Sequence, residues 1–320
     1  MSKTILFALA AACAASGAVH AQQKYPSKPV RVVVGFAPGG GTDIAARAIA
    51  QKLGEAMGAS FVVDNRPGAA GNIAAEIVAR GTADGHTLLM ANSTIAIPSL
   101  YARLPFDIRK DFIPVSLVAL GPSVLSVHPS VAANDVKGLL ALAKSQPGKI
   151  TYGSGGMGNV THLAMELLES MTGVDMVHVP YKGAAPSLTA LVSGEVQALF
   201  SSVPAALPQV NNGKIRALGV SISKRSPAMP NVPTIAEAGV PGYYAASWYG
   251  LLAPAGTPRP IVDALAKETS KAMRAADIRD KMLAQGFEPV GNTSAEFAKF
   301  IAAEIPRWEK VVKNAGIRGE

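Results

Sequence analysis

Charge is scarce in this chain. Of 320 residues, 16% are Asp, Glu, Lys or Arg, where soluble domains average roughly 25%. A disordered acidic or basic tail and a long solvated coiled coil are thereby excluded. Cysteine is almost missing. The one residue, Cys13, permits neither an intramolecular disulfide nor a cysteine-built metal centre. Aromatics make up 6%, and the 30 Lys and Arg are scattered without a run of five. With no zinc-finger spacing or stacking motif, nucleic acid is excluded as a partner. No G-x-S-x-G elbow, H-E-x-x-H pair, P-loop or EF-hand loop occurs. His86, His128, His162 and His178 form no close pair at ligand spacing, so no metal is expected. Neither a cofactor nor a catalytic residue is expected.

The only membrane-directed feature lies at the start. Lys3 is followed by the apolar run ILFALAAACAA (5–15), with Val19 and Ala21 suited to cleavage before Gln22. The run is too short to span a bilayer and reads as an export signal over 1–21. Removing those 21 residues from 320 leaves 299, with 29 bases against 22 acids, a balance of +7. Cys13 is lost with the signal. A soluble, thiol-free exported protein is expected, with mild attraction for small anions.

Strand and helix signals alternate along the rest, the pattern of a mostly parallel α/β sheet. VRVVVGF (30–36) reads as a buried strand, with Thr42 capping a helix to about Met57. FVVDN (61–65) and DGHTLLMANS (84–93) follow as strands around a helix ending near Arg80. VSLVALG (115–121) and SVLSVHP (123–129) read as two strands, after which the alternation resumes to about 221. Residues 222–260 hold no long helix, and 260–314 are helical. Two α/β lobes joined by two crossovers, near 115–125 and 220–250, are expected to form a hinged clamp around a ligand cleft. The expected division is 22–120 and 230–320 for lobe 1, with 121–229 for lobe 2. The tail helices are expected to return to lobe 1.

Three strand-to-helix loops carry the chemistry. The first, Ala37 to Asp43, holds Gly39, Gly40 and Gly41; the second, Arg66 to Asn72, holds Gly68, Ala69 and Gly71. Glycine lets the backbone approach a ligand, and the following helix offers free N–H groups to an anion. Asp43 suits a helix cap, a ligand amine or an ordering role in the loop. Asn65, Asn92, Ser93 and Thr94 end neighbouring strands facing the cleft. The third loop, Ser154, Gly155, Gly156, Met157, Gly158 and Asn159, leads to His162 and contains G-x-G-x-x-G. No acid ends the next strand, which finishes Tyr181, Lys182, Gly183, so a small anion fits better than a dinucleotide. Lys182 suits a point charge near that anion or a solvated surface position. His162 reads as a packing or capping residue. Tyr243, Tyr244, Trp248 and Tyr249 read mainly as packing between lobes, with one able to wall an organic ligand. An exported hydrolase or isomerase using the same cleft stays open as an alternative.

The stretches YPSKPVRVVVGFAPGGGTDIAAR (25–47), VVDNRPGAAGNIAAEIVA (62–79), YGSGGMGNVTHLAMELL (152–168), VPYKGAAPSLTALVSGEVQALF (179–200) and VPTIAEAGVPGY (232–243) closely resemble solute receptors of the tripartite tricarboxylate transporter family, also called the Bug family. The resemblance spans essentially all of 22–320. It implies a type II periplasmic binding protein fold and a monomer that captures a small organic carboxylate. Delivery would be to a membrane permease with one large and one small integral subunit. It further implies a carboxylate held between glycine-loop N–H groups of both lobes. Carried over, the site comprises Gly39, Gly40, Gly41, Asp43, Gly68, Ala69 and Gly71. In the second lobe it comprises Ser154, Gly155, Gly156, Gly158, Asn159, His162, Lys182 and Gly183. Family members often carry an acid where this chain has Ser201, a departure that disfavours an amino group on the ligand.

Overall fold

The computed structural model describes residues 25–101, 103–181 and 183–317. The expected export signal and Lys182 lie outside the described residues. β1 (Val30–Val34) is buried except for Arg31 and pairs in parallel with both β2 (Phe61–Asn65) and β3 (Thr87–Asn92). Such β-branched, unbroken apolar character suits a strand covered on both faces. α1 (Gly41–Met57) packs Ala45, Ala46, Ile49 and Leu53 into the first core and ends at Gly58 with φ 65°, a left-handed cap. Its first residue is Gly41 and its N-cap is Gly40, so Thr42 lies inside the first turn and does not cap it. α2 (Asn72–Ala79) closes the next unit.

β4 (Phe112–Val127) runs through both halves of the molecule as a single strand, where two were expected. Gly121 and Pro122 read as a break, yet the ladder continues past them. β9 (Ala246–Pro254) pairs antiparallel up to Pro122, and β7 (Ala198–Ser202) takes over at Ser123. β9 arises from the run 243–254, which has no distinct pattern of its own, and also pairs with β3. The sheet order is β2-β1-β3-β9-β4-β7, then β5 (Thr151–Ser154) and β6 (Val177–Pro180). β8 (Arg216–Val220) and β10 (Glu288–Pro289) also pair with β4. The outer strands of each half are parallel, while the two central strands are antiparallel to their neighbours. Their shared ladder joins the lobes.

In the second half, α3 (Val136–Ser145), α4 (Val160–Thr172), α5 (Ala184–Ser193) and α6 (Val203–Asn211) surround β5 to β8. Asp135 caps α3 by accepting from the Gly138 N–H. Ile235, Val240, Tyr243 and Ala245 belong to this second core, so the chain from 230 to 245 packs on the second half. α7 (Arg259–Arg274) and α8 (Ala276–Ala284) pack on the first half. α9 (Ser294–Asn314) starts in a capping box between Thr293 and Glu296 and bridges both halves. Phe297, Ile301 and Ile305 enter the first core. Beyond Pro306, Trp308, Val311 and Val312 enter the second. The tail therefore does not return to lobe 1 alone.

Candidate functional site

A cleft of about 460 Å³ lies where β4 and β9 pass between the halves. Four helices begin at its wall. Gly40, Gly41 and Thr42 come from the start of α1, Asn159 and Thr161 from α4, Gly183 and Ala184 from α5, and Ser202 from the residue before α6. The first N–H groups of a helix have no partner within it, and the aligned peptide dipoles add a partial positive charge. Gly40, Gly183 and Ser202 cap their helices without a side-chain hydrogen bond. Only α4 carries a side-chain cap, Asn159 accepting from the Thr161 N–H at 3.0 Å. Among the described residues no Asp, Glu, Lys, Arg or His lines the cleft. The helix starts therefore edge the cleft with partial positive charge and no acid among the described residues offsets it.

Another cavity of similar size, about 470 Å³, lies between α7 and the start of α9. Its Arg259 and Lys271 are paired with Asp263 and Glu268, and the start of α9 is closed by its capping box. Unlike that cavity, the interlobe cleft gathers several helix starts without side-chain caps.

The first loop is ordered from behind. Asp43 is 2% exposed and does not face the cleft. Its Oδ2 accepts from the Gly39 N–H and from Arg47 Nε, each at 2.9 Å, and its Oδ1 accepts from Asn65 Nδ2 at 2.9 Å. Burial alone would raise its pKa, but those donors hold the carboxyl below its ordinary value. Of the three roles open to Asp43, the geometry selects loop ordering. Gly39 adopts φ 83° and also stands outside the lining. Gly41 and Gly121 flank the Tyr249 ring, and a Cβ at Gly121 would lie 2.7 Å from Tyr249 Cε2. Of Tyr243, Tyr244, Trp248 and Tyr249, Tyr249 alone lines the cleft, and burial pushes its hydroxyl up to about 12.

From the second loop only Ala70 lines the cleft; Gly68, Ala69 and Gly71 stand outside the lining, with Ala69 exposed. Ala69 and Ala70 have φ of 46° and 52°, a left-handed strain costing roughly 1–2 kcal/mol per residue. The Thr94 hydroxyl donates to Ala70 O at 3.1 Å and helps hold that shape. Ser93 is buried behind Asn92 and Thr94, which do face the cleft.

In the third loop Gly155, Gly156, Gly158 and Asn159 line the cleft, while Ser154 and His162 support it from behind. Four N–H groups of this loop have acceptors within the loop or on α4. Gly155 donates to Thr161 Oγ1 at 3.0 Å, Gly156 to Ser154 Oγ at 3.1 Å, Gly158 to His162 Nδ1 at 3.0 Å and Asn159 to Gly156 O at 3.1 Å. Those bonds fix the loop's shape. Ser201 lines the cleft at 5% exposure, and its Oγ has no partner among the described residues. Ser123, Ser187, Ser247 and Tyr101 line it too and were not anticipated. They stand on distant strands, a helix and a connecting segment, where no local motif marks them.

Two α/β halves sharing a cleft edged by helix starts define a two-lobed binding protein of the periplasmic type. The chain belongs to the tripartite tricarboxylate transporter family of receptors. The family model described as "Tripartite tricarboxylate transporter family receptor" matches residues 45–317. Protein BugT of Bordetella pertussis is 36% identical over 297 residues, covering 92% of this chain and 91% of BugT. The structure of R. palustris Rpa4515 with adipate superposes with a TM-score of 0.84 at 41% identity, covering 92% of this chain and 100% of that one. MatC (Rpa3494) from Rhodopseudomonas palustris with bound malate gives 0.77 at 34%, covering 90% of this chain and 100% of MatC.

Proposed function

We propose that this protein captures a small organic carboxylate in the periplasm by closing its lobes and passes it to a membrane permease. The observation that carries the reading is the set of four helix starts facing one cleft with no acidic side chain in it. The unpartnered Ser201 Oγ supports it. A buried carboxylate must regain the hydrogen bonds it leaves in water, and helix-start N–H groups supply them. The adipate and malate held by the related structures support that ligand class. Gly40, Gly41, Gly155, Gly156, Gly158, Asn159, Gly183 and Ser201 make the ligand-facing surface in this reading, joined by Thr42, Ser202 and Tyr249. Gly39, Asp43, Gly68, Ala69, Gly71, Ser93, Ser154 and His162 act through those residues.

Lobe 1 in this reading extends to Pro122 and resumes at Ala246. The packing of Ile235 to Ala245 supports moving the second crossover from 230 to that point. Export follows from the segment 1–21, cleaved after Ala21. The permease partner has one large and one small integral subunit, and the receptor works as a monomer without catalytic turnover.

Thermal unfolding against adipate, malate, citrate, benzoate and aspartate tests the reading. A ligand present at 100 times its Kd stabilises the folded state by about 2.7 kcal/mol. At least one carboxylate is expected to raise the midpoint by several degrees, with aspartate weaker than malate because no acid faces its ammonium. No shift with any carboxylate overturns the reading. Steady loss of the acid in a time course establishes the enzyme alternative.

A further inference from the structure

Behind the third loop lies a side-chain cluster that faces no ligand. The rings of His162 on α4 and His178 on β6 stack at 3.7 Å between centroids and 8° between planes. Tyr152 on β5 stacks against His178 at 5.0 Å. The Tyr152 hydroxyl donates to Glu166 Oε1 at 2.6 Å, and the same oxygen lies 3.2 Å from His162 Nε2. His178 Nε2 lies 2.6 Å from Ser154 Oγ, which in turn accepts the Gly156 N–H. His162 Nδ1 accepts the Gly158 N–H at 3.0 Å.

That last bond fixes the tautomer. A backbone N–H only donates, so Nδ1 must offer its lone pair, and the ring proton sits on Nε2 toward Glu166. A second proton on His162 has to go to Nδ1, where it faces the Gly158 N–H and leaves that donor without an acceptor. His162 is 2% exposed, so water is poorly placed to take over.

We propose that His162 is a positioning residue for the anion-facing loop Ser154–Asn159 and that the stacked pair His162–His178 makes this loop sensitive to acid. With both rings neutral, His162 and Ser154 hold Gly158 and Gly156 in their ligand-facing shape. A proton on His162 releases Gly158, and a proton on His178 places charge 3.7 Å from the ring that holds it. The proposal rests on the cleft being the carboxylate site. Burial, and after it the neighbouring His162, push His178 down to about 4. The other titratable groups acting here are Tyr152 on β5, Glu166 and Glu169 on α4, and Asp175 ahead of β6. A solute receptor whose loop slackens in acid releases its ligand there without a proton being taken up by any group that faces the ligand.

The test reads the loop amides by ¹⁵N NMR on the ligand-free full chain, from neutral pH to about 4. The Gly156 and Gly158 amides are expected to move together, while Gly40 and Gly41 in the opposite loop stay in place. His162→Asn keeps an acceptor near Nδ1 that takes no proton; it is expected to keep the neutral-pH positions and lose the titration. His162→Phe removes the acceptor and is expected to show the acid positions at every pH. With adipate as probe, wild-type affinity falls by roughly tenfold relative to His162→Asn across the range, the size of one lost hydrogen bond. The comparison between the two proteins cancels adipate's own titration. A Gly158 amide that does not move, or His162→Asn titrating like wild type, overturns the proposal. Should His162→Phe fail to fold, the wild-type and Asn titrations still decide. The amide titration needs no ligand, so a failure of adipate to bind counts against the carboxylate reading alone.

Discussion

The loop before α1 is tied by a buried carboxylate, and the loop before α4 by hydroxyls and an imidazole. Asp43 gathers Gly39, Arg47 and Asn65 around one charge. Ser154, Thr161 and His162 each take one glycine N–H with a neutral acceptor. Both arrangements leave a helix start open to the cleft, but they respond differently to pH. Asp43 titrates below its ordinary value, so the stability it contributes is present above the unfolded carboxylate value and goes only as pH falls through the lower folded one. The first loop is therefore constant wherever the second is expected to change.

Removing the charged anchor has the largest expected effect. Asp43→Ala frees the Gly39 N–H, Asn65 and Arg47 together and is expected to cost about 3 kcal/mol of stability. Chemical denaturation reads that loss, and a cost below about 1 kcal/mol would mean water replaces the anchor. The two glycine faces differ next. Gly40 has φ −78°, and a Cβ there meets nothing nearer than Ala37 O at 3.6 Å. Gly40→Leu is expected to leave stability within about 0.5 kcal/mol while lowering carboxylate affinity roughly a hundredfold by filling the cleft. Gly156 has φ 127°, so Gly156→Leu is expected to lose affinity and a further ~1–3 kcal/mol of stability. Calorimetry and unfolding on both variants check the contrast; equal stability losses would break it.

Two groups near the loop before α4 oppose each other. His178 is lowered from 6.5 to about 4 by burial and then by His162. The unfolded ring takes its proton first, so stability falls as pH drops from 6.5 to about 4. Glu169 is raised from 4.5 to about 7 by burial and then by Glu166 and Asp175, so its contribution falls as pH rises through that interval. The slopes cancel where they overlap, and wild-type stability should stay nearly level there. Glu169→Gln keeps an acceptor for the Met176 N–H but removes one slope. Its stability should then fall by about 2 kcal/mol on acidification, allowing for partial exposure of His178. A level profile in the variant would show that His178 is not held neutral.

Much of this was legible from local pattern. The buried run at Val30–Val34, the three glycine loops and the Thr293 start of the last helix all depend on neighbours in sequence. What escaped depends on partners far away. β9 has no alternation because both its faces are buried, and Pro122 looks like a break until β7 takes over the ladder. The roles of Asp43 and His162 were open because a carboxylate or imidazole beside a glycine loop can face the cleft or its support. Only the positions of Arg47, Asn65 and Gly158 decide between them. Tyr249 lines the cleft because Gly41 and Gly121, eighty residues apart, leave room for one ring.

The smallest expected effect isolates the ligand from the scaffold. Nearly every buried polar group around the two loops has a partner inside the protein, so changing one disturbs fold and site together. Ser201 differs: its Oγ is buried at the cleft wall with no partner among the described residues. Ser201→Ala removes a hydroxyl whose desolvation nothing offsets in the ligand-free protein, so stability should hold or rise slightly. If the hydroxyl meets the bound carboxylate, affinity should fall by a few-fold to tenfold, about 1 kcal/mol. Titration calorimetry with the best carboxylate from the thermal panel separates the two quantities. A drop in stability without a drop in affinity would mean that Ser201 has a partner in the protein and that the ligand binds elsewhere along the cleft.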